Sequence, residues 1–309
     1  MLKTPTPDTT VVRLSAEVAA ALRQGRAVVA LESSVLAQGL PIPANREAAG
    51  RMIAAVRARG VVPAITAVMR GVPSMGLDTA DLERLLGRRG VTKVSARDMP
   101  WAMATGADGA TTVAASLALC ALSGVDVFVT GGIGGVHRGL PRDESADLLE
   151  LSRSRVVTVC SGAKSILDVA ATVERLETLG VSVVGYRTDE FPGFLTAHTG
   201  LRVGARADSP TAVASIWRAL VDMRRPGALL VVQPPPANVA IDATSMTAAV
   251  EAAVEDARAA GIAGAELTPF LLRCVAEATG GRSLEANLGL LESNAALAAE
   301  IAIAVARAP

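Results

Sequence analysis

Aromatic side chains are nearly missing from this 309-residue chain: four phenylalanines, two tryptophans and one tyrosine make up 2% of it. Its core must therefore be packed from small aliphatic side chains. Half of the residues are apolar, so a sizeable interior is available. With no basic block, no aromatic-basic interleaving and a formal net charge of zero, nucleic acid is not expected as the main partner. Histidine is scarcer still. Two histidines cannot furnish a histidine-rich zinc or iron site, so any metal would lean on carboxylates and water, which favours magnesium or manganese. The three cysteines, Cys120, Cys160 and Cys274, are far apart in apolar settings, which argues against a disulfide framework or a zinc site. No uninterrupted apolar stretch is long enough to span a bilayer, and no apolar core follows Lys3 as a signal peptide requires. The expectation is a soluble cytoplasmic protein with no membrane partner. Internal repeats, low-complexity tracts and linkers are also missing, so residues 1–309 read as one α/β domain, with 1–12 a poorly ordered N-terminal extension.

What stands out against these absences is a glycine-rich stretch, Thr130 to Gly139, behind the mostly apolar run Val125–Val129. Four glycines within six residues permit unusual backbone angles and let main-chain N–H groups approach a ligand. The stretch holds His137 and Arg138, and the cluster Asp143-Glu144-Ser145-Ala146-Asp147 follows. A strand running into glycines, a histidine, an arginine and then carboxylates has the make-up of an active-site edge; a tight surface turn is the plainer alternative. The stretch is not the dinucleotide fingerprint, because His137 occupies the last glycine position counted from Gly132, and it is not a Walker loop.

Other positions carry similar alternatives. The buried strand Ala27–Leu31 runs into Glu32-Ser33-Ser34. A carboxylate there must be paired or solvated, and strand ends are where open α/β sheets place ligands. Lys93, in the short strand Val91–Ser95, is either an edge guard or an anion ligand. Gly109-Ala110-Thr111-Thr112 reads as the start of a helix to Leu122, whose hydroxyls and free N–H groups suit a phosphate or ordinary capping. Lys164 lies between the strand Arg155–Cys160 and a helix expected over Ile166–Leu179. At a helix N-terminus the macrodipole disfavours its charged form and favours a nucleophilic amine; a lysine snorkelling to solvent is the alternative. Gly71-Val72-Pro73 reads as a turn, Thr79 and Ser283 as helix caps, and Thr268-Pro269 as a cap-then-proline start. Asn287 and Asn294 share one face of the last helix, where satisfied core groups are the favoured reading. His198 receives no role. Strands alternating with helices predict a three-layer α/β/α sandwich around a central mixed sheet.

Several motifs occur in a fixed order: Ala30-Leu31-Glu32-Ser33; Lys93-Val94-Ser95 with Arg97-Asp98; Gly109 to Val113; Thr130 to Gly139; Asp143 with Ser145-Ala146-Asp147-Leu148; Gly162 to Asp168; Thr268 to Leu272; and Ser283-Leu284 with Asn287. This ordered set resembles the pseudouridine-5'-phosphate glycosidase, or indigoidine synthase A-like, family over nearly the whole chain. The resemblance implies reversible cleavage of the C-glycosidic bond of pseudouridine 5'-phosphate to uracil and ribose 5-phosphate, a divalent metal (typically manganese, or another such as magnesium), and a homotrimer. It implies Lys164 as the nucleophile forming an imine with the ring-opened sugar, Glu32 as proton donor and Asp143 as metal ligand. Lys93, Val113 and Ser145-Ala146-Asp147 match substrate contacts, Asn287 matches a polar contact near the reacting sugar, and Thr130 and His137 join the substrate-binding residues. The chain departs from the family pattern at Gln38, where histidine is common; at Gln233, for asparagine; at Ser74, for lysine; and in a short loop between Arg138 and Asp143.

The chemistry agrees with that assignment. A carbon leaving group cannot be released by protonating an exocyclic oxygen, as in ordinary glycoside hydrolysis. An amine that becomes a protonated imine while the base carbon takes a proton lets the bond break. Two further readings remain: a C-glycosidase or C-glycosynthase for another C-riboside phosphate or an aldolase-type lysine-imine lyase, and a non-catalytic sugar-phosphate binding subunit.

Overall fold

The computed structural model describes residues 11–138, 143–262 and 267–307. Gly139 and the loop behind it, and most of the expected N-terminal extension, lie outside these residues.

The chain enters through β1 (Arg13–Leu14) and α1 (Ala16–Arg23), which Ser15 caps by accepting the Val18 N–H at 3.3 Å. β2 (Val28–Leu31) leads through a π-helical turn at Val35–Gly39 to α2 (Ala44–Arg57). β3 (Val62–Met69), β4 (Val72–Met75), α3 (Thr79–Gly87), β5 (Val91–Val94), α4 (Met99–Thr105) and β6 (Asp108–Thr111) follow. Then come α5 (Val113–Ser123), β7 (Val127–Val129), β8 (Val136–His137), α6 (Ala146–Leu151), β9 (Val157–Cys160), β10 (Leu167–Asp168) and α7 (Val169–Thr178). β11 (Ser182–Tyr186), β12 (Arg206–Ala207), α8 (Pro210–Asp222), β13 (Leu229–Val232), α9 (Ala243–Ala259), α10 (Leu267–Ala278) and α11 (Arg282–Ala306) complete the chain.

The strands β3-β2-β7-β9-β13-β11-β12 lie side by side, every neighbouring pair parallel. β2, β7, β9 and β13 are buried at every position, as unbroken aliphatic runs must be when both sheet faces are covered. β3 is long enough to serve two groups of strands. Its first half pairs with β2, and its second half pairs antiparallel with β4 and with β6. β5 and β1 extend these edges in parallel. The sheet is therefore mixed, within the expected α/β/α arrangement. α11 is long and apolar enough to cross a membrane by composition, but more than half of its most apolar window is buried, against β2, β7, β9, α2 and α8. It is the core helix of the domain.

Several local expectations change. The turn at Gly71-Val72-Pro73 is instead a hairpin between β3 and β4. Its loop residues Arg70 (φ 52°) and Gly71 (φ 75°) both adopt left-handed angles, so Val72 and Pro73 continue as a strand. Gly109 to Thr111 do not open a helix but form β6, and Thr112 caps α5 instead. A Cβ on Gly109 would overlap Val94 of the adjoining strand. Asp78 rather than Thr79 caps α3, accepting the Asp81 N–H at 2.7 Å. Ser283 lies inside α11, which begins after a left-handed Gly281. α10 starts at Leu267, ahead of Thr268-Pro269. The helix expected from Ile166 starts at Val169, because Leu167–Asp168 pair with β8 and Asp168 caps α7 through the Ala171 N–H at 2.9 Å.

Candidate active site

Because β2, β7, β9 and β13 are parallel and in register, the residues that follow them emerge along one edge: Glu32, Thr130, Ser161 and Gln233. Buried hydroxyls hold this edge. Ser33 Oγ accepts the Thr111 N–H at 2.8 Å, and Thr66 Oγ1 lies 2.8 Å from both Thr111 Oγ1 and Ser116 Oγ. Thr111 is thus committed to the interior and is not the phosphate-facing hydroxyl anticipated for it. Asn294 ties the other strand ends together. Its amide donates to Thr130 O at 3.0 Å and Gly131 O at 3.3 Å, and its carbonyl accepts from Ser161 Oγ at 3.2 Å and Gln233 Nε2 at 2.7 Å. Asn294 is a satisfied core group. The departure at Gln233 sits inside this network, and Ser74 is buried beside Arg13, which donates to it at 3.2 Å.

Glu32 is 2% exposed and accepts a hydrogen bond from Thr130 Oγ1. Burial pushes its pKa above the ordinary carboxyl value. The nearby Lys164, the Thr130 hydroxyl and Lys93 act the other way without reversing it, and the Asp147 charge adds to the rise. Solvent reaches the Lys93 side chain, but the protein mass around its ammonium and the neighbouring Lys164 charge lower its pKa, while Asp147 and Glu32 offset part of that.

Lys164 is not at a helix N-terminus. It sits in a loop five residues ahead of α7, so the macrodipole argument does not apply to it. Its backbone N–H donates to Ile133 O at 3.1 Å, inside a bridge between Ile133 and Ala163 that joins this loop to the glycine stretch.

From Thr130 to Gly135 the glycine stretch is buried rather than a surface turn, and its glycines there meet a different demand from the one anticipated. None of Gly131, Gly132, Gly134 and Gly135 adopts a left-handed angle. Space is what they provide. A Cβ on Gly134 would sit 2.7 Å from Asp147 Oδ2, one on Gly132 would sit 2.6 Å from the Phe194 ring, and one on Gly135 would overlap Thr172. Asp147 depends on that close approach: its two oxygens accept the Ala114 N–H at 2.9 Å and the Gly134 N–H at 2.8 Å, joining the start of α5 to the loop.

A continuous cleft runs along the edge in three parts. A polar compartment of about 1300 Å³, open to solvent, is lined by Lys93, Arg97, Val113, Gly134, His137, Asp143, Ser145, Ala146 and Asp147. Glu32, Ser34, Lys93 and Lys164 are shared with a narrower neck, which also takes in Thr130, Gly131, Gly132 and Gln38. The neck opens into a more apolar compartment of about 970 Å³ lined by Gln38, Leu40, Arg88, Phe194, Leu272, Leu284 and Asn287. Every residue to which the family resemblance gives a role therefore lines one cleft, whereas Thr111 does not. The starts of α5 and α6 both face the polar part. His198 lies elsewhere, exposed, 3.5 Å from Glu190.

Asp143 borders the polar compartment, and its carbonyl accepts the His137 N–H at 3.0 Å. Among the described residues no three His, Cys, Asp or Glu side chains gather as a metal cage. Asp143, on an open polar cleft that Asp98, Glu144 and Asp147 also border, fits a hard cation that keeps water and substrate oxygens among its ligands. Sequence reasoning missed Phe194 and Leu272. Phe194 takes an uncommon left-handed backbone angle (φ 67°), which turns its ring into the cleft, and only the scarcity of aromatics marks it in the sequence.

Comparisons with known proteins agree with this architecture. The model of the family described as indigoidine synthase A like protein matches residues 17–304. A pseudouridine-5'-phosphate glycosidase of Gemmatimonas aurantiaca is 62% identical over 95% of this chain and 96% of its own length. The Escherichia coli protein of that name is 46% identical over 94% of both. The solved structure of the prealnumycin C-glycosynthase AlnA in complex with ribulose 5-phosphate superposes with a TM-score of 0.90 at 37% identity, covering 97% of this chain and 98% of that one. An indigoidine synthase A-like protein from Thermotoga maritima superposes equally well, at 38% identity over 99% of this chain and 100% of its own. From the first helix to the last, the chain belongs to the indigoidine synthase A-like family.

Proposed function

We propose that the cleft cleaves the C-glycosidic bond of pseudouridine 5'-phosphate to uracil and ribose 5-phosphate. The observation that carries this reading is the placement of a buried Glu32, its pKa raised by burial, beside Lys164 at the neck between a polar and an apolar compartment. The substrate has the matching shape: an anionic phosphate at one end, a planar base at the other, and the reacting bond between them.

The Lys164 amine attacks C1' of the sugar and displaces the ring oxygen, which takes up the proton that the nitrogen gives off. Its nitrogen lone pair then stabilises C1' as a protonated imine while the C1'–C5 bond breaks, and Glu32 delivers the proton to C5 of the departing uracil. Water hydrolyses the imine to release ribose 5-phosphate and regenerate the amine. Lys93, the Val113 and Ala146 N–H groups at the starts of α5 and α6, Ser145 and His137 hold the phosphate, which suits N–H donors and cations. Phe194 offers its ring, and Leu272 its side chain, to the base. Asp143 would hold a manganese or magnesium ion, which when bound supplies positive charge to orient substrate oxygens.

We read the enzyme as cytoplasmic, because a phosphorylated substrate does not cross membranes unaided. We read it as a homotrimer, with exposed Trp101 and Met103 on α4 as apolar surface available for contact. Sedimentation checks the subunit number.

The test is uracil release from pseudouridine 5'-phosphate, with manganese and with chelator, for wild type and Lys164→Ala. Metal-dependent release that the variant loses is expected, as is borohydride trapping of ribose 5-phosphate on wild type alone. A well-folded wild type that releases no uracil would refute the reading. It would favour another C-riboside, as the C-glycosynthase neighbour's chemistry suggests.

A further inference from the structure

Among the described residues, two side chains that line the cleft carry a buried carbonyl with no partner: Gln38 Oε1 and Asn287 Oδ1. Buried acceptors are ordinarily paired, and each one left unpaired is costly, so a pair of them on one cavity points to donors that arrive with a ligand. Both residues line the neck that Glu32 and Lys164 also line, and both continue into the apolar compartment. Asn287 is 9% exposed on the rigid core helix α11. Gln38 lies on the π-helical turn Val35–Gly39, a widened turn of the kind often found at functional sites. Arg88 clamps that turn by donating to the carbonyls of Leu36 and Leu40, on either side of Gln38. Gln38 is thus a held group and not a loose surface amide.

The geometry of the base supplies what these acceptors lack. In a uracil linked through C5, the atom opposite the linkage is C2, and the ring nitrogens N1 and N3 flank it. Both carry hydrogen. With C5 at the neck, facing Lys164 and Glu32, both N–H groups are at the far end of the ring, inside the cavity. A uracil linked through N1 has lost one of the two.

We propose that Gln38 determines base specificity in this chain: its side-chain carbonyl, with that of Asn287, reads the two ring N–H groups of a C5-linked uracil. The inference rests on the glycosidase reading above. In the empty cleft the acceptors are orphaned; the correct base satisfies both, and a base lacking either N–H leaves one buried and unpaired.

The experiment measures kcat/KM for pseudouridine 5'-phosphate and for its N1-methyl and N3-methyl derivatives, in wild type and in Gln38→Met. Methionine keeps much of the length and volume of glutamine but has no carbonyl acceptor. Wild type is expected to lose roughly 10- to 100-fold on each methylated substrate, the effect of orphaning one buried acceptor. Gln38→Met is expected to lose a similar factor on the parent and to discriminate no longer against one of the two derivatives, while still rejecting the other. A methyl group excluded by shape alone would be rejected by the variant as strongly as by wild type, so unchanged ratios would overturn the proposal. So would wild type turning over both derivatives as fast as the parent. Gln38→Leu, which also lacks an acceptor, serves if the methionine variant does not fold. Wild type inactive on the parent itself would overturn the glycosidase reading and this inference with it, an outcome distinct from turnover with unchanged ratios.

Discussion

Replacing Asn294 by leucine tests how the site edge is held. Asn294 is fully buried and takes part in four hydrogen bonds, to Thr130 O, Gly131 O, Ser161 Oγ and Gln233 Nε2. Leucine fills nearly the same space and offers none of them. Two of the partners keep an alternative: Gly131 O still accepts the Ser161 N–H at 2.8 Å, and Gln233 Nε2 still reaches Ser293 Oγ at 3.4 Å. Thr130 O and Ser161 Oγ lose theirs. At about 1–3 kcal/mol for each buried group left unpaired, the loss is about 2–6 kcal/mol. Unfolding entropy scales with length, so for 309 residues each kcal/mol moves Tm by about 1.5 °C. Asn294→Leu should therefore melt about 3–9 °C below wild type in a calorimetric scan. The same change frees Thr130, whose hydroxyl donates to Glu32, so uracil release should fall by more than the fraction of protein unfolded at the assay temperature. Asn294→Asp separates the donors from the acceptor. It keeps a carbonyl-like acceptor but faces Thr130 O with a carboxylate, and it should be less stable at neutral pH than at acid pH. A leucine variant that melts with wild type and releases uracil at the wild-type rate would refute the claim that Asn294 holds this edge.

Three further outcomes follow from single contacts. Gly134→Ala should lower Tm by about 2–5 °C and raise KM for the phosphorylated substrate, because the new Cβ meets Ser145 and Asp147 and overpacking costs about 1–3 kcal/mol; an unaffected KM would show the loop yields freely. Glu32→Gln should cut uracil release about 10²- to 10⁴-fold. It should also gain stability over wild type as pH rises above the ordinary carboxyl value of 4.5, since a folded-state pKa raised by burial means that folding holds a proton and wild type loses stability as pH climbs toward that raised value. A Tm difference that is the same at about pH 4 and pH 8 would contradict that burial effect. Asp143→Asn should raise the manganese concentration needed for half-maximal activity about 10- to 100-fold, read by metal titration of activity; an unchanged midpoint would remove Asp143 from the metal site.

The parallel strands were legible because each is an apolar run too continuous for a half-exposed strand, and their ends pointed to Glu32, the glycine stretch and Lys164. What local pattern could not supply was pairing between distant segments. Gly109 to Thr111 looked like a helix start because threonines before an alanine-rich run are good caps; pairing with β3 and β5 turns them into a strand. Lys164 looked like a helix-start lysine because nothing in Ser165 to Asp168 opposes helix; the ribbon with β8 delays α7. Glycine was read as backbone freedom, whereas the crowded loop needs the absence of a side chain. Asn287 and Asn294 had identical spacing on one helix. One meets three strand ends and is satisfied, and the other meets a cavity and is not, a difference set entirely by what packs opposite.

Three of the carboxyl groups on the cleft, Asp147, Asp143 and Glu32, have different surroundings that suit different roles in the proposed reaction. Asp147 accepts the N–H groups of Ala114 and Gly134, one on each oxygen, which ties it to the framework of the site. Asp143 borders the open polar compartment, where water and cations reach it. Glu32 alone is sealed at the neck, with a single hydroxyl donor, where burial and the Asp147 charge both favour the protonated form. Environments that push neighbouring carboxyls apart define which one is the acid. In the proposed reaction Glu32, whose pKa burial raises, is the group beside Lys164 where the breaking bond would receive a proton. Removing the Asp147 charge while keeping its shape, as in Asp147→Asn, should therefore shift the alkaline limb assigned to Glu32 in the pH profile of kcat to lower pH. A limb that did not move would assign the proton to another group.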